Sequence, residues 1–251
     1  MAEKGAEVLL EAHLPNVRYL TGFSGSNAVL LLGPTDEESV LGTDGRYIDQ
    51  AAQETPDLAR HIDRDTLPSL LPRIGRRAAV DTAMSAADWL CVQGEVGDAR
   101  PVGGWIEGLR AVKDAVELEA LALACRITAE AMELLAASMR IGDSEVELAR
   151  RLEGLFAYLG AADRSFETIV AAGPHSAIPH HQPGRRVLER GDLVVVDAGA
   201  LVDGYHADMT RTFVVGDPAP WQVEVHAAVL GAQQAATAAY LPGAAARDID
   251  A

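Results

Sequence analysis

Two aspartates toward the end of the chain flank a strong hairpin signal. Asp197 directly follows the apolar run 193–196, and a buried strand accepts a charge only when that charge is paired or bound to a metal. Asp203 and Gly204 form a dipeptide typical of two-residue hairpin turns. If they form the turn, Gly199 lies directly opposite Asp208 on the partner strand.

This register places the two carboxylates on the same face of the hairpin. Asp197 shares a face with Gly199 because alternate residues of a strand point the same way, and Asp208 shares that face because it opposes Gly199. The Cβ atoms of Asp197 and Asp208 are then roughly 7 Å apart, which suits carboxylates that hold two divalent cations about 3.5–4 Å from each other. Without a cation, the two charges repel and raise a pKa. A second interpretation stays open, in which each aspartate hydrogen-bonds to neighbouring backbone.

Three histidines occur upstream in a proline-rich segment. The β-rich run 166–170 ends in Ala-Ala-Gly-Pro and leads to His175, His180 and His181. Loops supported by a rigid strand often carry catalytic groups. A histidine there can hydrogen-bond to a substrate carbonyl or carry a proton near neutral pH, although solvent-exposed loop histidines are the simpler interpretation for any one of them.

The elements that must position these residues follow an α/β pattern. Strand-like runs at 28–32, 39–42 and 78–80 alternate with a helical stretch at 47–53, which predicts a small α/β domain. The composition changes near residues 101–104. We place the domain boundary at about residue 111, so that domain 1–111 is followed by domain 112–251.

The second domain opens with helical signals. Apolar residues recur over 118–135 in a long amphipathic helix that stops at Gly142. Ser144, with acids on both sides, is a typical N-cap for a second helix that ends near Gly160. A third helix is predicted over residues 221–240.

Composition and charge exclude several classes of protein. The 37 acidic and 21 basic side chains give a net charge of −16, which argues against nucleic acid and anionic membranes as partners. Cys91 and Cys125 are too few and too far apart for a disulfide framework, which favours a reducing compartment. No apolar run approaches a membrane span, and the opening MAEKGAE has acids where a signal peptide has basic and apolar residues. We therefore expect a cytoplasmic protein.

Together these segments resemble the aminopeptidase P and Xaa-Pro dipeptidase (prolidase) branch of the creatinase-like metallopeptidases, which have the "pita-bread" fold. The order and spacing of the matching stretches make the resemblance specific, and it spans most of the chain. The stretches are HLPNVRYLTGFSGSNA and TDGRY in the first domain, LRAVKDAVELEAL at the entry to the second, and then IVAAGPHSAIPHH and VVVDAGALVDGYHADMTRTFVVG.

The resemblance implies a creatinase-like N-terminal α/β domain followed by the first part of a pita-bread catalytic domain. Asp197 and Asp208 match the family's first two ligands of a site for two divalent ions, Mn²⁺ or Co²⁺. His180 matches the catalytic histidine that contacts substrate and helps to move the proton. The resemblance gives no role to His175, His181 or His206, although His206 shares the hairpin face of Asp208. It gives Thr210 and Arg211 structural or supporting roles.

The implied reaction is hydrolysis of the peptide bond that precedes proline. Two metal ions would share a bridging water, lower its pKa and polarise the scissile carbonyl. Proline has no N–H, so proteases that need this hydrogen bond handle such substrates poorly. The implied substrates are proline-containing peptides, of dipeptide or longer length, and the family favours a homodimer.

One departure from the family pattern affects the expected activity. The family uses three further ligands, one histidine and two glutamates, that follow the aspartate hairpin. After the hairpin this chain offers only His226 and Glu224, both within a predicted helix. We expect the 251 residues to be part of a longer enzyme, to bind metal weakly and to be inactive as a peptidase by themselves. The opening MAEKGAEVLL is expected to be the middle of a first helix.

Three other functions share parts of this pattern. A non-catalytic binding module or degenerate relative would have no need for the pair Asp197 and Asp208. The creatinase-type amidinohydrolases use the fold without metal and lack the aspartate pair. Methionine aminopeptidase has the same aspartate spacing but lacks the amino-terminal domain.

Overall fold

The structure is a computed structural model that describes residues 6–75 and 77–250. It divides between Lys113 and Asp114 into two compact units. Each unit combines helices with strands around its own buried clusters, so the predicted α/β class is confirmed. None of the helices in the described residues is long and apolar enough to cross a lipid bilayer.

A six-stranded mixed sheet forms the centre of the first unit. In spatial order its strands are β4 (Ala59–Ile62), β3 (Val40–Thr43), β2 (Val29–Leu32), β1 (Val8–Glu11), β5 (Arg77–Asp81) and β6 (Asp98–Val102). Strand β1 is antiparallel to β2 and parallel to β5. The predicted strands and helix of this region are confirmed. The elements are β1 Val8–Glu11, α1 Leu14–Thr21, β2 Val29–Leu32, β3 Val40–Thr43, α2 Ile48–Glu54, β4 Ala59–Ile62, α3 Thr66–Leu70, β5 Arg77–Asp81, α4 Ala86–Glu95, β6 Asp98–Val102 and α5 Trp105–Arg110.

Helices cover both faces of this sheet because its central strands are apolar on both faces. Leu10 and Val80 pack into one buried cluster together with side chains of α3 and α4. Their strand neighbours Leu9 and Ala79 point the other way and pack with Ile106 of α5. Continuous apolar runs of this kind are typical of strands that are buried on both sides.

The opening segment is a strand, and the expected helix there is wrong for residues 8–10. Leu9 pairs with Leu32 on one side, and Leu10 pairs with Val80 on the other. A short run of Val and Leu gains two hydrogen-bonded neighbours in this position, and that gain outweighs any local helical preference. Residues 1–5, which belong to the same expectation, lie outside the described part of the chain.

The second unit begins with two long helices whose starts are fixed by reciprocal capping. Asp114 and Glu117 form a capping box on α6 (Ala115–Ser138), and Ser144 and Glu147 form one on α7 (Glu145–Tyr158). All three predicted helices of this region are confirmed. The elements are α6 Ala115–Ser138, α7 Glu145–Tyr158, β7 Asp163–Arg164, β8 Ile169–Ala172, β9 Leu193–Ala198, β10 Ala200–Val202, β11 Tyr205–His206, β12 Met209–Val214, α8 Pro220–Ala239 and α9 Ala246–Ile249.

Two three-stranded sheets pack with α6 and α7 around the core of this unit. Their strand orders are β12-β9-β8 and β11-β10-β7. Leu152 of α7, Leu135 of α6 and Val196 of β9 are fully buried in one cluster. Strand β8 begins at Ile169 rather than at Phe166, and Phe166 and Glu167 line a pocket before the strand begins.

The hairpin register is the predicted one. Asp203 and Gly204 form the turn with positive φ angles of 50° and 86°, as a type I′ turn requires. Leu201 pairs with His206 before the turn. Beyond the break between the two sheets, Thr210 pairs with Asp197 in the same register. Gly199 and Asp208 therefore oppose each other, as the sequence analysis predicts.

Candidate metal centre

Asp197, Asp208 and His180 open onto one pocket of about 330 Å³ in the second unit. Asp197 comes from β9, Asp208 lies between β11 and β12, and His180 lies in the loop after β8. The fold thus brings together the three residues that the sequence analysis names as candidates. The other residues that line the pocket are Phe166, Glu167, Ile169 and Gln182.

The alternation of β9 directs Asp197 into the pocket. Val194, Val196 and Ala198 are fully buried in the core, so Asp197 points to the opposite face of the strand. The hairpin needs glycine at position 199, because a Cβ there would overlap the carbonyl oxygen of Ala207. The close approach of the two strands beside the carboxylates therefore depends on Gly199, and the carbonyl group of Ala207 fills the space that a side chain would take.

The carboxyl group of Asp208 ionises less readily than that of a free aspartate, because its pKa is raised. Burial raises the pKa of Asp208, and the charge and hydrogen bond of the nearby Asp197 side chain raise it further. This is the effect that the sequence analysis predicts for two bare carboxylates. A divalent cation between them would reverse the sign of the interaction, so the donor set fits such an ion.

Asp197 is held by a side chain rather than by backbone. Thr210, its cross-strand partner, donates a hydrogen bond from Oγ1 to Asp197 Oδ1 at 2.8 Å. In the part of the chain that the structure describes, no backbone N–H donates to the carboxylate of Asp197 or Asp208. The interpretation in which both aspartates only bond to neighbouring backbone does not describe this geometry.

One buried carboxylate holds both ends of the loop that carries His180. Glu145 is fully buried at the start of α7, where a carboxylate also interacts favourably with the helix dipole. Its Oε1 accepts the N–H of Ala172 at 2.9 Å, and its Oε2 accepts the N–H of Gly184 at 3.1 Å. The loop between these residues presents the exposed His180 to the pocket.

The other two histidines of the loop also contact Glu145. Nδ1 of His175 lies 2.8 Å from Oε1, and Nε2 of His181 lies 2.9 Å from Oε2. Burial acts to raise the pKa of Glu145, but hydrogen bonds from the Ala172 N–H, the two imidazoles and the Gly184 N–H outweigh it and lower the pKa. The resemblance left these two histidines without a role.

The remaining candidates lie away from the pocket. His206 contacts the carbonyl oxygen of Ser165 at 3.2 Å and is absent from the described pocket lining. His226 and Glu224 are both exposed on α8. Arg211 is exposed and donates to the carbonyl oxygen of the adjacent Thr210.

The sequence alone does not predict the roles of two acidic residues, Glu167 and Glu145. Glu167 lines the pocket and accepts a hydrogen bond from Nε2 of Gln182 at 3.2 Å, a contact between the segment before β8 and the histidine loop after it. From the sequence, Glu145 is predicted only to be an acidic residue in the first turn of a helix. The sequence feature that could have indicated a buried acidic partner is the presence of His175 and His181, two histidines that no motif explains.

Comparison with protein families gives two matches that together cover most of the chain. The model of metallopeptidase family M24 matches residues 119–251. The model of the creatinase/prolidase N-terminal domain matches residues 1–112.

This chain is also similar to individual peptidases. The uncharacterised peptidase YqhT of Bacillus subtilis is 32% identical over 257 residues, which cover 98% of this chain and 72% of that protein. The Xaa-Pro dipeptidase of Pyrococcus horikoshii is 30% identical over 255 residues, which cover 100% of this chain and 72% of that protein. The solved structure of an Xaa-Pro dipeptidase from Bacillus anthracis superimposes with a TM-score of 0.87 at 28% identity, covering 94% of this chain and 68% of the other.

Proposed function

The chain belongs to metallopeptidase family M24, and we propose that it carries part of a two-metal site that hydrolyses the peptide bond before proline. The observation that supports this proposal is that Asp197, Asp208 and His180 open onto one pocket. We propose domain 1–111 as the creatinase-like domain and 112–251 as the catalytic portion.

Asp197 and Asp208 would hold the metal ions, Mn²⁺ or Co²⁺. When bound, such ions supply Lewis acidity and a water molecule of lowered pKa. The chain contributes the two carboxylates, which open onto the same pocket. Thr210 orients Asp197 by its hydrogen bond, which is how residues behind a ligand usually support it.

His180 would contact the substrate and move a proton. It is exposed on the pocket wall and lies in a loop that Glu145 fixes at both ends, so its backbone is well positioned. Phe166 and Ile169 give the same pocket an apolar surface that suits the proline ring. Substrate binding would thus combine one polar contact with apolar packing.

The proposed partners are proline-containing peptides. The strong negative charge of the chain argues against nucleic acid and anionic membranes, and the free Cys91 and Cys125 suit a reducing compartment such as the cytoplasm. We propose a homodimer by analogy with the family.

Residues 1–251 by themselves are proposed to bind metal weakly and to lack peptidase activity. Each divalent ion of this kind takes about six donors, and Asp197 and Asp208 offer only part of two such sets. The Glu145, His175 and His181 group does not supply the balance, since none of the three is among the described residues that line the pocket.

The function can be tested by supplying the ligands that the family pattern adds. Residues 1–251 are joined to the part of the Pyrococcus horikoshii Xaa-Pro dipeptidase that this chain does not match, and release of proline from Ala-Pro is measured with Mn²⁺. Hydrolysis by the chimera that disappears in its Asp208→Asn variant would support the proposal. A correctly folded, Mn²⁺-loaded chimera that leaves Ala-Pro intact would contradict it.

A parallel assay separates the alternative functions. Activity on Ala-Pro-Ala but not on Ala-Pro would identify an aminopeptidase rather than a dipeptidase. Binding of either peptide without hydrolysis, unaffected by Asp208→Asn, would instead favour a non-catalytic binding module.

A further inference from the structure

A second group of metal-binding side chains lies outside the carboxylate pocket. Glu145, His175 and His181 each offer one donor atom, and the three atoms lie within 4.8 Å of one another. None of these residues is among the described residues that line the pocket of Asp197 and Asp208. One carboxylate and two imidazoles form the ligand set of many catalytic zinc sites.

The carboxylate is already oriented as a ligating carboxylate would be. Each oxygen of Glu145 accepts one backbone N–H, from Ala172 or from Gly184. Such hydrogen bonds fix a ligand from behind, and each oxygen keeps a second lone pair. It is this second lone pair that faces an imidazole nitrogen, of His175 on Oε1 and of His181 on Oε2.

The separations between donors are close to those of a bound ion. Bonds of about 2.0–2.1 Å in a tetrahedral site place neighbouring donor atoms roughly 3.3 Å apart. The two nitrogens lie 2.8 Å and 2.9 Å from the carboxylate oxygens, and the two rings stand 4.3 Å apart between centroids. Small movements of the three side chains would therefore be enough to admit an ion.

The site also combines buried charge with access from solvent. The Glu145 side chain is 0% exposed, whereas those of His175 and His181 are 36% and 12% exposed. Arg186, a cation near Glu145, is engaged by both oxygens of Asp192. A buried carboxylate needs a cationic partner or a metal, and the two histidines offer a route by which an ion reaches it.

We propose that Glu145, His175 and His181 form a binding site for one Zn²⁺-class divalent ion, separate from the aspartate pair. The ion binds Nδ1 of His175, Nε2 of His181 and the Glu145 carboxylate, so each imidazole carries its proton on the other ring nitrogen. Water completes the coordination on the exposed side. The ion cross-links the start of α7 to the loop that carries His180.

Cobalt titration of a variant without the aspartate pair tests this site directly. The 251-residue protein with Asp197→Asn and Asp208→Asn is freed of metal and titrated with Co²⁺, whose visible absorption reports four- or five-coordinate sites with nitrogen ligands. We expect one equivalent to bind and to be displaced by Zn²⁺. Because the aspartate pair is absent, the result does not depend on the proposed peptidase function.

Two variants in the same background locate the ion. His175→Gln and His181→Gln each keep an N–H donor for Glu145 but remove the imidazole. Removing a residue that only hydrogen-bonds to a metal ligand already lowers metal affinity roughly 10–100-fold. Removing a ligand itself should therefore lower the Co²⁺ affinity of each variant by at least that much. His180→Gln, in the same loop, is the matched control and should bind Co²⁺ normally, with circular dichroism confirming the fold of all three.

Three results would overturn the proposal. The first is a folded protein with no saturable Co²⁺ absorption, which would leave Glu145 as a hydrogen-bonding residue only. The second is unchanged affinity in His175→Gln and His181→Gln. The third is an equal loss in His180→Gln, which would place the ion elsewhere in the loop.

Discussion

Thr210 lies directly opposite Asp197 across the β9–β12 pair and donates a 2.8 Å hydrogen bond from its Oγ1 to Oδ1 of the aspartate. The bond joins two residues that the Asp203-Gly204 turn places face to face, so turn chemistry and ligand orientation are linked. One oxygen of Asp197 is fixed by this bond. The same side chain lines the pocket.

Thr210→Val should weaken metal binding while leaving the strand intact, because Val keeps the β-branched shape and removes only the hydroxyl. We expect the affinity of residues 1–251 for Mn²⁺ to fall by roughly 10-fold or more, the usual effect of losing a residue that supports a ligand. Isothermal titration of Mn²⁺ measures it. Thr210→Ser, which retains the hydroxyl, should bind as the wild type does, and equal affinities in Val and Ser variants would refute the orienting role.

Gly199→Ala should destabilise the second unit and remove its metal response. The added Cβ would overlap the carbonyl oxygen of Ala207, so the hairpin must open at the point where the two aspartates meet. Overpacking of this kind costs about 1–3 kcal/mol and sometimes more. Urea unfolding measures the loss of stability, and Mn²⁺ titration measures the loss of affinity that follows if Asp197 and Asp208 move apart.

Gly154→Ala is the matched control for this substitution. Gly154 lies exposed within α7, and a Cβ there meets nothing within 4 Å. Replacing a glycine in a helix by alanine should stabilise the protein by about 0.5–1 kcal/mol. A similar loss of stability in both variants would show that the effect at position 199 does not arise from the close approach of Ala207.

Local signals were sufficient to predict the hairpin and the helices of the second unit. The register follows from Asp203 and Gly204 because a two-residue turn fixes every opposed pair beyond it. Ser144 begins α7 because its hydroxyl accepts the N–H of Glu147, a bond between residues three apart. Each of these features depends on neighbours in the sequence, which a sequence displays directly.

Features that depend on distant segments could not be predicted in the same way. Strand β1 exists because Leu9 and Leu10 meet partners at Leu32 and Val80, and nothing within residues 6–11 reveals those partners. Glu145 acquires its contacts from Ala172, His175, His181 and Gly184, which lie far along the chain. The pairing of a helix start with a loop is set by tertiary packing.

Glu145→Gln should loosen the loop that carries His180. The amide would replace one acceptor oxygen by an N–H₂ group, so either the Ala172 or the Gly184 N–H would lose its partner and one imidazole its acceptor. Hydrogen exchange of the Ala172 and Gly184 amides should accelerate. Buried hydrogen bonds to a charged group contribute about 1.5–3 kcal/mol, which predicts at least a 10-fold faster exchange where opening is local.

Glu147→Gln controls for the position of the substitution on α7. Its carboxylate contacts Ser144 at the helix start, and glutamine at this position preserves a capping box. Exchange at Ala172 and Gly184 should stay at the wild-type rate in this variant. Protection that survives in Glu145→Gln as well would show that the loop is held by other contacts.

Glu11 of the first unit should make stability depend on pH. Its side chain is fully buried, and this burial raises its pKa from 4.5 to about 7. Hydrogen bonds from the His13 N–H and the Asn16 side chain act in the opposite direction but are outweighed. Because the pKa of Glu11 is higher in the folded than in the unfolded protein, protonated Glu11 contributes fully to the free energy of unfolding below about pH 4.5. This contribution is lost as the pH rises through about 7. Wild type should therefore lose on the order of 1–3 kcal/mol relative to Glu11→Gln between pH 5 and pH 8, as urea unfolding would measure. The exposed Glu37→Gln should follow the wild-type curve, and a constant difference between wild type and Glu11→Gln across this range would contradict the assignment.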